Sequence, residues 1–127
     1  MGKSIENLFS TEETITLNLK NMHYQVRKYR EEVEFLKEKY PDEARSKSMK
    51  HYKKIFKFYD KHLISALIES AEMEQKHIAV IKKNPDPEFK PLVEEAQCHQ
   101  ELSKKFRNRF QQMHREFHTY TETLKKI

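Results

Sequence analysis

Residues 15–40, ITLNLKNMHYQVRKYREEVEFLKEKY, decide the fold, because their apolar side chains recur at alternating steps of three and four residues. The run comprises Ile15, Leu19, Met22, Val26, Tyr29, Val33, Leu36 and Tyr40. This spacing places the side chains on one face of a helix, and over several heptads it is typical of coiled-coil packing. The stretch therefore predicts a long helix that packs against other helices.

The same spacing continues in two further parts of the chain, which are separated by prolines. Pro41 ends the first part, and NPDPEFKP at residues 84–91 separates the second from the third. Ser10 with Glu13 fits a capping box, and Asp42 can cap the second helix. We expect helices at about 10–40, 42–83 and 87–127 after a short segment at 1–9, forming one up-down-up antiparallel bundle.

The composition favours a single helical domain without catalytic machinery. The 127 residues include one glycine and one cysteine, whereas catalytic and phosphate-binding loops need glycine for close backbone approaches. No phosphate-binding loop, nucleophile elbow or paired-cysteine motif is present. With no apolar run of transmembrane length, we expect a soluble, cytoplasmic, non-enzymatic protein without a cofactor.

Basic residues concentrate in two segments. Residues 45–61 carry seven basic side chains and one acidic, residues 104–126 carry seven and two, and residues 62–103 between them carry four and eight. An antiparallel hairpin of the second and third helices brings the basic segments together at one pole, which would attract polyanions. The anion-binding candidates are Lys47, Lys50, Lys54, Lys57, Lys61, Lys104, Arg107 and Arg115.

Beyond Lys61, the same outward face of the second helix becomes apolar. This makes residues 63–81 hydrophobic on nearly every side, and such a helix is expected to be covered. The cover is either a second copy of the chain, which we favour, or the segment SIENLF at residues 4–9. The predicted self-association residues are Ile64, Leu67, Ile68, Ala71 and Ile78.

An elongated helical dimer with basic poles resembles BAR-type membrane-curvature modules, which pair three-helix coiled coils and present basic surfaces to lipid. The layout is also similar to spectrin-type and SNARE-regulatory three-helix bundles, which bind proteins. The first resemblance implies binding to anionic membranes, and the second implies protein partners.

Several polar side chains fall on or near the apolar stripes. Glu12, Ser70, His99 and Ser103 are predicted to form one buried polar layer, a feature that fixes register in coiled coils. His114 and His118 stand four residues apart and are the weak candidates for a metal site. A di-iron bundle needs two Glu-x-x-His motifs, and Glu74 with His77 supplies one, so no metal is expected.

These observations predict a scaffold or adaptor that forms homo-oligomers and binds protein partners. Binding to an anionic membrane through the basic pole is the alternative. Nucleic acid ranks third, because the anion-binding candidates are mostly lysine and the neighbouring aromatic rings are assigned to the core.

Overall fold

A computed structural model of the chain describes the backbone of residues 2–83 and 89–125 and the side chains of residues 6–83 and 90–124. These residues form three α-helices, α1 (Gly2–Lys39), α2 (Glu43–Lys83) and α3 (Phe89–Lys125). The prediction of an all-α chain with three long helices is confirmed. The limits predicted at residues 87 and 127 lie outside the described residues.

The first helix begins well before the predicted position. It is continuous from Gly2, so the prediction of a separate segment at 1–9 and a helix start near Ser10 is wrong. Leu8 explains the extension, because it lies one heptad before Ile15 and is completely buried against Leu92 and Ala96 of α3. Continuing the helix through Ser10 keeps Leu8 on the buried stripe.

The connection between α1 and α2 is short and is capped as the sequence predicts. The backbone N–H of Tyr40 donates to the carbonyl of Leu36 at 2.8 Å and closes the last turn of α1. Pro41 follows, and the Asp42 carboxylate accepts a hydrogen bond from the backbone N–H of Arg45 at 3.2 Å. Asp42 is therefore the N-cap of α2.

The core lies along α1, which packs against both other helices. Every predicted stripe position of α1 from Ile15 to Leu36 is buried, and Tyr29 meets the rings of Phe56 from α2 and Phe117 from α3. Contact pairs between α1 and α2 join Glu12 to His77 and Glu34 to Lys53. The N-terminal half of α1 thus faces the C-terminal half of α2.

Large rings join α2 to α3. The Tyr52 ring centroid lies 5.1 Å from that of Phe117, and the Tyr59 centroid lies 5.5 Å from that of Phe106. Near the other end of α2, the Lys76 ammonium lies 3.3 Å from the Glu95 carboxylate. In the described residues, no helix has an apolar stretch long enough to cross a membrane.

Candidate interaction surfaces

The apolar row on the outside of α2 is exposed, as the sequence indicates. Ile64 is 42% exposed and Ile68 is 55% exposed, although both are large aliphatic side chains. Ala71 is also exposed and Ile78 is half-buried, whereas Leu67 packs against the main core. We use the term outer row for Ile64, Ile68, Ala71 and Ile78.

The described side chains at the N-terminal end of α1 leave Ile64 and Ile68 uncovered. Leu8 turns toward Leu92 and Ala96 of α3 instead, and the side chain of Ile5 lies outside the described residues. Among the described side chains, Ile64 and Ile68 therefore remain open to solvent.

Opposite charges flank Ile64 and Ile68, the first two residues of the outer row. Lys57 and Lys61 are exposed before this pair, and Glu69 and Glu72 are exposed after it. Lys61, Ile64, Ile68 and Glu72 follow at steps of three and four, so they lie along one side of the helix. This side of α2 thus changes from basic to apolar to acidic.

The basic candidates of the pole all lie on the surface. The contacts of Tyr52 with Phe117 and Tyr120 place residues 45–61 of α2 beside the second half of α3. The eight candidates are all exposed: Lys47, Lys50, Lys54, Lys57, Lys61, Lys104, Arg107 and Arg115. Their binding to an anionic surface stays a prediction.

The predicted polar layer is divided among different contacts. Glu12 forms a hydrogen bond with His77, one heptad beyond Ser70, while Ser70 bonds to Thr16 at 3.0 Å. His99 and Ser103 are half-buried and line a surface cavity together with His62. The single layer of Glu12, Ser70, His99 and Ser103 is therefore wrong, because α1 lies one to two turns away from the expected level.

The pair of Glu12 and His77 is the most deeply buried polar contact described. His77 is completely buried, and its second ring nitrogen lies 3.5 Å from the Glu95 carboxylate, which is long for a hydrogen bond. Burial raises the pKa of the Glu12 carboxyl, and the contact with His77 offsets only part of this effect. Partial burial also acts to raise the pKa of Glu95, but contacts with Lys76 and His77 outweigh it and lower that pKa.

A second polar network was not predicted. One carboxylate oxygen of Asp60 on α2 forms a hydrogen bond with Nε2 of His23 at 2.8 Å. The other accepts a hydrogen bond from the Arg30 guanidinium at 3.2 Å. His23 and Asp60 are adjacent to stripe positions of their helices, and only this proximity to the apolar stripes could have indicated the contact. The network joins α1 to α2 at the edge of the core.

One member of the histidine pair of α3, His114, contacts α1. The rings of His114 and His118 stack with centroids 6.4 Å apart, and Nδ1 of His114 contacts the Tyr29 hydroxyl. Burial raises the pKa of Tyr29. Within residues 6–83 and 90–124, no three His, Cys, Asp or Glu side chains are grouped so that they could hold a metal ion.

Comparisons with known proteins give no match: no protein-family model, curated protein or solved structure is similar to this chain.

Proposed function

We propose that this chain is a self-associating helical scaffold in which two copies join through the outer row of α2 and bind protein partners. The observation that carries the proposal is the exposure of Ile64 and Ile68 between basic and acidic side chains. Large apolar side chains that are grouped on a surface favour a protein contact.

The charges on either side of the row favour a second copy of this chain as the occupant. In a two-fold dimer, each copy offers the same surface to the other. If two α2 helices cross in opposite directions between Ile64 and Ile68, each Ile64 meets Ile68 of the second copy. The same arrangement brings Lys61 beside the second copy's Glu72, so the outer row is complementary to itself in charge as well as in polarity.

In this proposal each copy is an up-down-up antiparallel coiled-coil bundle. The opposed contact pairs of α1 and α2 support it, as do the pairs of Tyr52 with Tyr120 and Lys76 with Glu95 between α2 and α3. The 41 residues of α2 extend over roughly 60 Å, which leaves long faces for other contacts.

Sedimentation equilibrium tests the dimer. We expect the wild-type chain to have a dimeric mass, and the variant Ile64→Lys, Ile68→Lys to be monomeric with unchanged helical circular dichroism. Val80→Lys is the matched control, because Val80 is an exposed aliphatic residue of α2 outside the row and should leave the dimer intact.

A charge exchange tests the orientation of the two copies. Lys61→Glu should weaken the dimer by placing two carboxylates together, and adding Glu72→Lys should restore it. A monomeric wild type, or a dimer that neither the isoleucine variant nor the charge exchange alters, refutes the proposal.

A second candidate function is binding to anionic membranes, which the adjacent basic segments of α2 and α3 favour. Vesicles with and without phosphatidylserine should separate the wild type from the variant Lys50→Glu, Lys54→Glu, Lys57→Glu. The control variant Lys82→Glu, Lys83→Glu, Lys90→Glu changes the same charge at exposed sites near the other end of α2. Equal sedimentation of the two variants with vesicles would reject this candidate.

A further inference from the structure

A groove runs between α2 and α3 because large rings hold these helices apart. His62 stacks on Phe106 with centroids 4.4 Å apart, and Tyr59 meets the same ring. A cavity of about 370 Å³ is lined by His62 and Phe106, and a second of about 660 Å³ is lined by Tyr59. Arg109 lines both of them. We call this surface the α2–α3 groove.

The groove has apolar side chains on its floor and on its edges. Ile55 and Met113 line one cavity, and Ala66 and Phe106 line the other. Phe58 and Leu102 also line the groove and are 64% and 59% exposed. Such exposure of a Phe and a Leu beside an apolar floor is typical of a surface that contacts a partner.

The centre of the groove is basic. Lys105 and Arg109 line it, whereas Glu116 lines one cavity together with Lys54, and Glu69 lines the other. The ring contacts of Tyr52 with Phe117 and of Tyr59 with Phe110 place the two carboxylates at separate ends, with Lys105 and Arg109 between them. An occupant that matches the groove carries an apolar face for its floor and acidic side chains beside that face, opposite Lys105 and Arg109.

We propose that the α2–α3 groove binds an amphipathic helix with acidic flanks from a partner protein. This inference deepens the proposed scaffold function by naming the class of partner, and none of the four outer-row residues lines the groove. The groove spans residues 51–69 of α2, a length of roughly 27 Å, which matches a helix of about five turns. A helix satisfies its own backbone hydrogen bonds, and it suits a groove whose walls are helices and offer no strand edge.

Charge disfavours a second copy of this chain in the groove. Lys105 and Arg109 at the groove centre attract an acidic segment and repel the two basic segments of another copy. The outer row, by contrast, is self-complementary. The two surfaces therefore select different partners.

A pair of synthetic peptides tests the proposal on the full-length chain. Each is an amphipathic helix of about five turns with leucine on one face, flanked by glutamate in one peptide and by lysine in the other. We expect the glutamate peptide alone to bind in fluorescence anisotropy, with an affinity that falls as salt rises. In NMR spectra it should shift the amide signals of residues 51–69 and 99–116.

Matched variants locate the site. Phe58→Ser and Arg109→Glu should each weaken binding of the glutamate peptide at least tenfold. Phe35→Ser changes a ring of similar exposure on α1, and Arg107→Glu changes an exposed arginine of α3 outside the groove; both should retain the affinity.

Four results would overturn the inference. These are equal binding of the two peptides, binding of neither, equal losses in the groove and control variants, and loss of self-association in Phe58→Ser, which would make a second copy the occupant. The variant Ile64→Lys, Ile68→Lys should still bind the glutamate peptide, so failure of the dimer and failure of the groove are distinguishable.

Discussion

Replacing His77 with leucine should destabilise the bundle by about 3 kcal/mol, because it removes the hydrogen-bond partner of the buried Glu12 carboxyl. In the described part of the chain, the other Glu12 oxygen already accepts no hydrogen bond. Loss of the His77 contact leaves a carboxyl group without water or partner. The raised pKa of Glu12 limits the cost, since the group can take up a proton rather than stay charged.

The reciprocal change should cost less. After Glu12→Leu, His77 retains its contact with Glu95 at 3.5 Å, so we expect a loss of about 1–2 kcal/mol. In the double variant Glu12→Leu, His77→Leu, neither member of the buried pair is left without its partner and two apolar side chains fill the site. The double variant should therefore lie within about 1 kcal/mol of the wild type.

Urea unfolding of the four proteins at one protein concentration measures these differences, and the fixed concentration removes any effect of self-association. The expected pattern is a double variant that is more stable than His77→Leu alone. Single losses that add within about 0.5 kcal/mol would show that the pair is not coupled and would refute the reasoning.

Three further predictions concern α1 and α2. Because the pKa of Glu12 is raised on folding, its contribution to stability is present below its ordinary value of 4.5 and is lost as the pH rises through the folded value. The variant Glu12→Gln should therefore become more stable relative to wild type as the pH rises through this range, as measured by thermal unfolding. A difference in stability that does not change with pH would contradict this. Phe56→Ala should cost about 3–5 kcal/mol in urea unfolding, since the ring is completely buried among Tyr29, Tyr52 and Phe117, and a loss below about 1 kcal/mol would contradict the packing. Lys53→Ala should leave the urea midpoint almost unchanged in the same assay, because its ion pair with Glu34 is exposed to solvent; a clear shift would show a role beyond that pair.

The buried face of α1 could be predicted residue by residue, but its beginning could not. Heptad spacing is a direct consequence of helix geometry, and it correctly marked every position from Ile15 to Leu36. The capping box at Ser10 misled because such a cap contributes about 1 kcal/mol, whereas burial of Leu8 contributes about 2 kcal/mol. The stronger effect continues the helix to Gly2.

The partners of the polar side chains depend on how far each helix is shifted along the bundle axis relative to its neighbours. The spacing of the apolar residues does not determine this shift. A shift of one to two turns along α1 brings Glu12 to His77 rather than to Ser70, which lies seven residues before His77. The outward position of Ile64 and Ile68 was predictable, since the spacing of α2 alone decides which side chains lie opposite its core stripe. The groove was not, because spacing assigns Tyr59 and Phe106 to the core without revealing how far their rings separate α2 from α3.

The outer row and the α2–α3 groove lie on different sides of α2, so the two proposed contacts are compatible. Successive residues turn by about 100°, which places His62 of the groove roughly 120–160° from Ile64 and Ile68. A dimer through the outer row therefore leaves the part of each groove around His62 open. Two linked grooves would favour a partner that carries two acidic helices, because the second helix binds at the effective concentration that the first one sets. Self-association would then raise the affinity for such a partner without adding any contact within the groove.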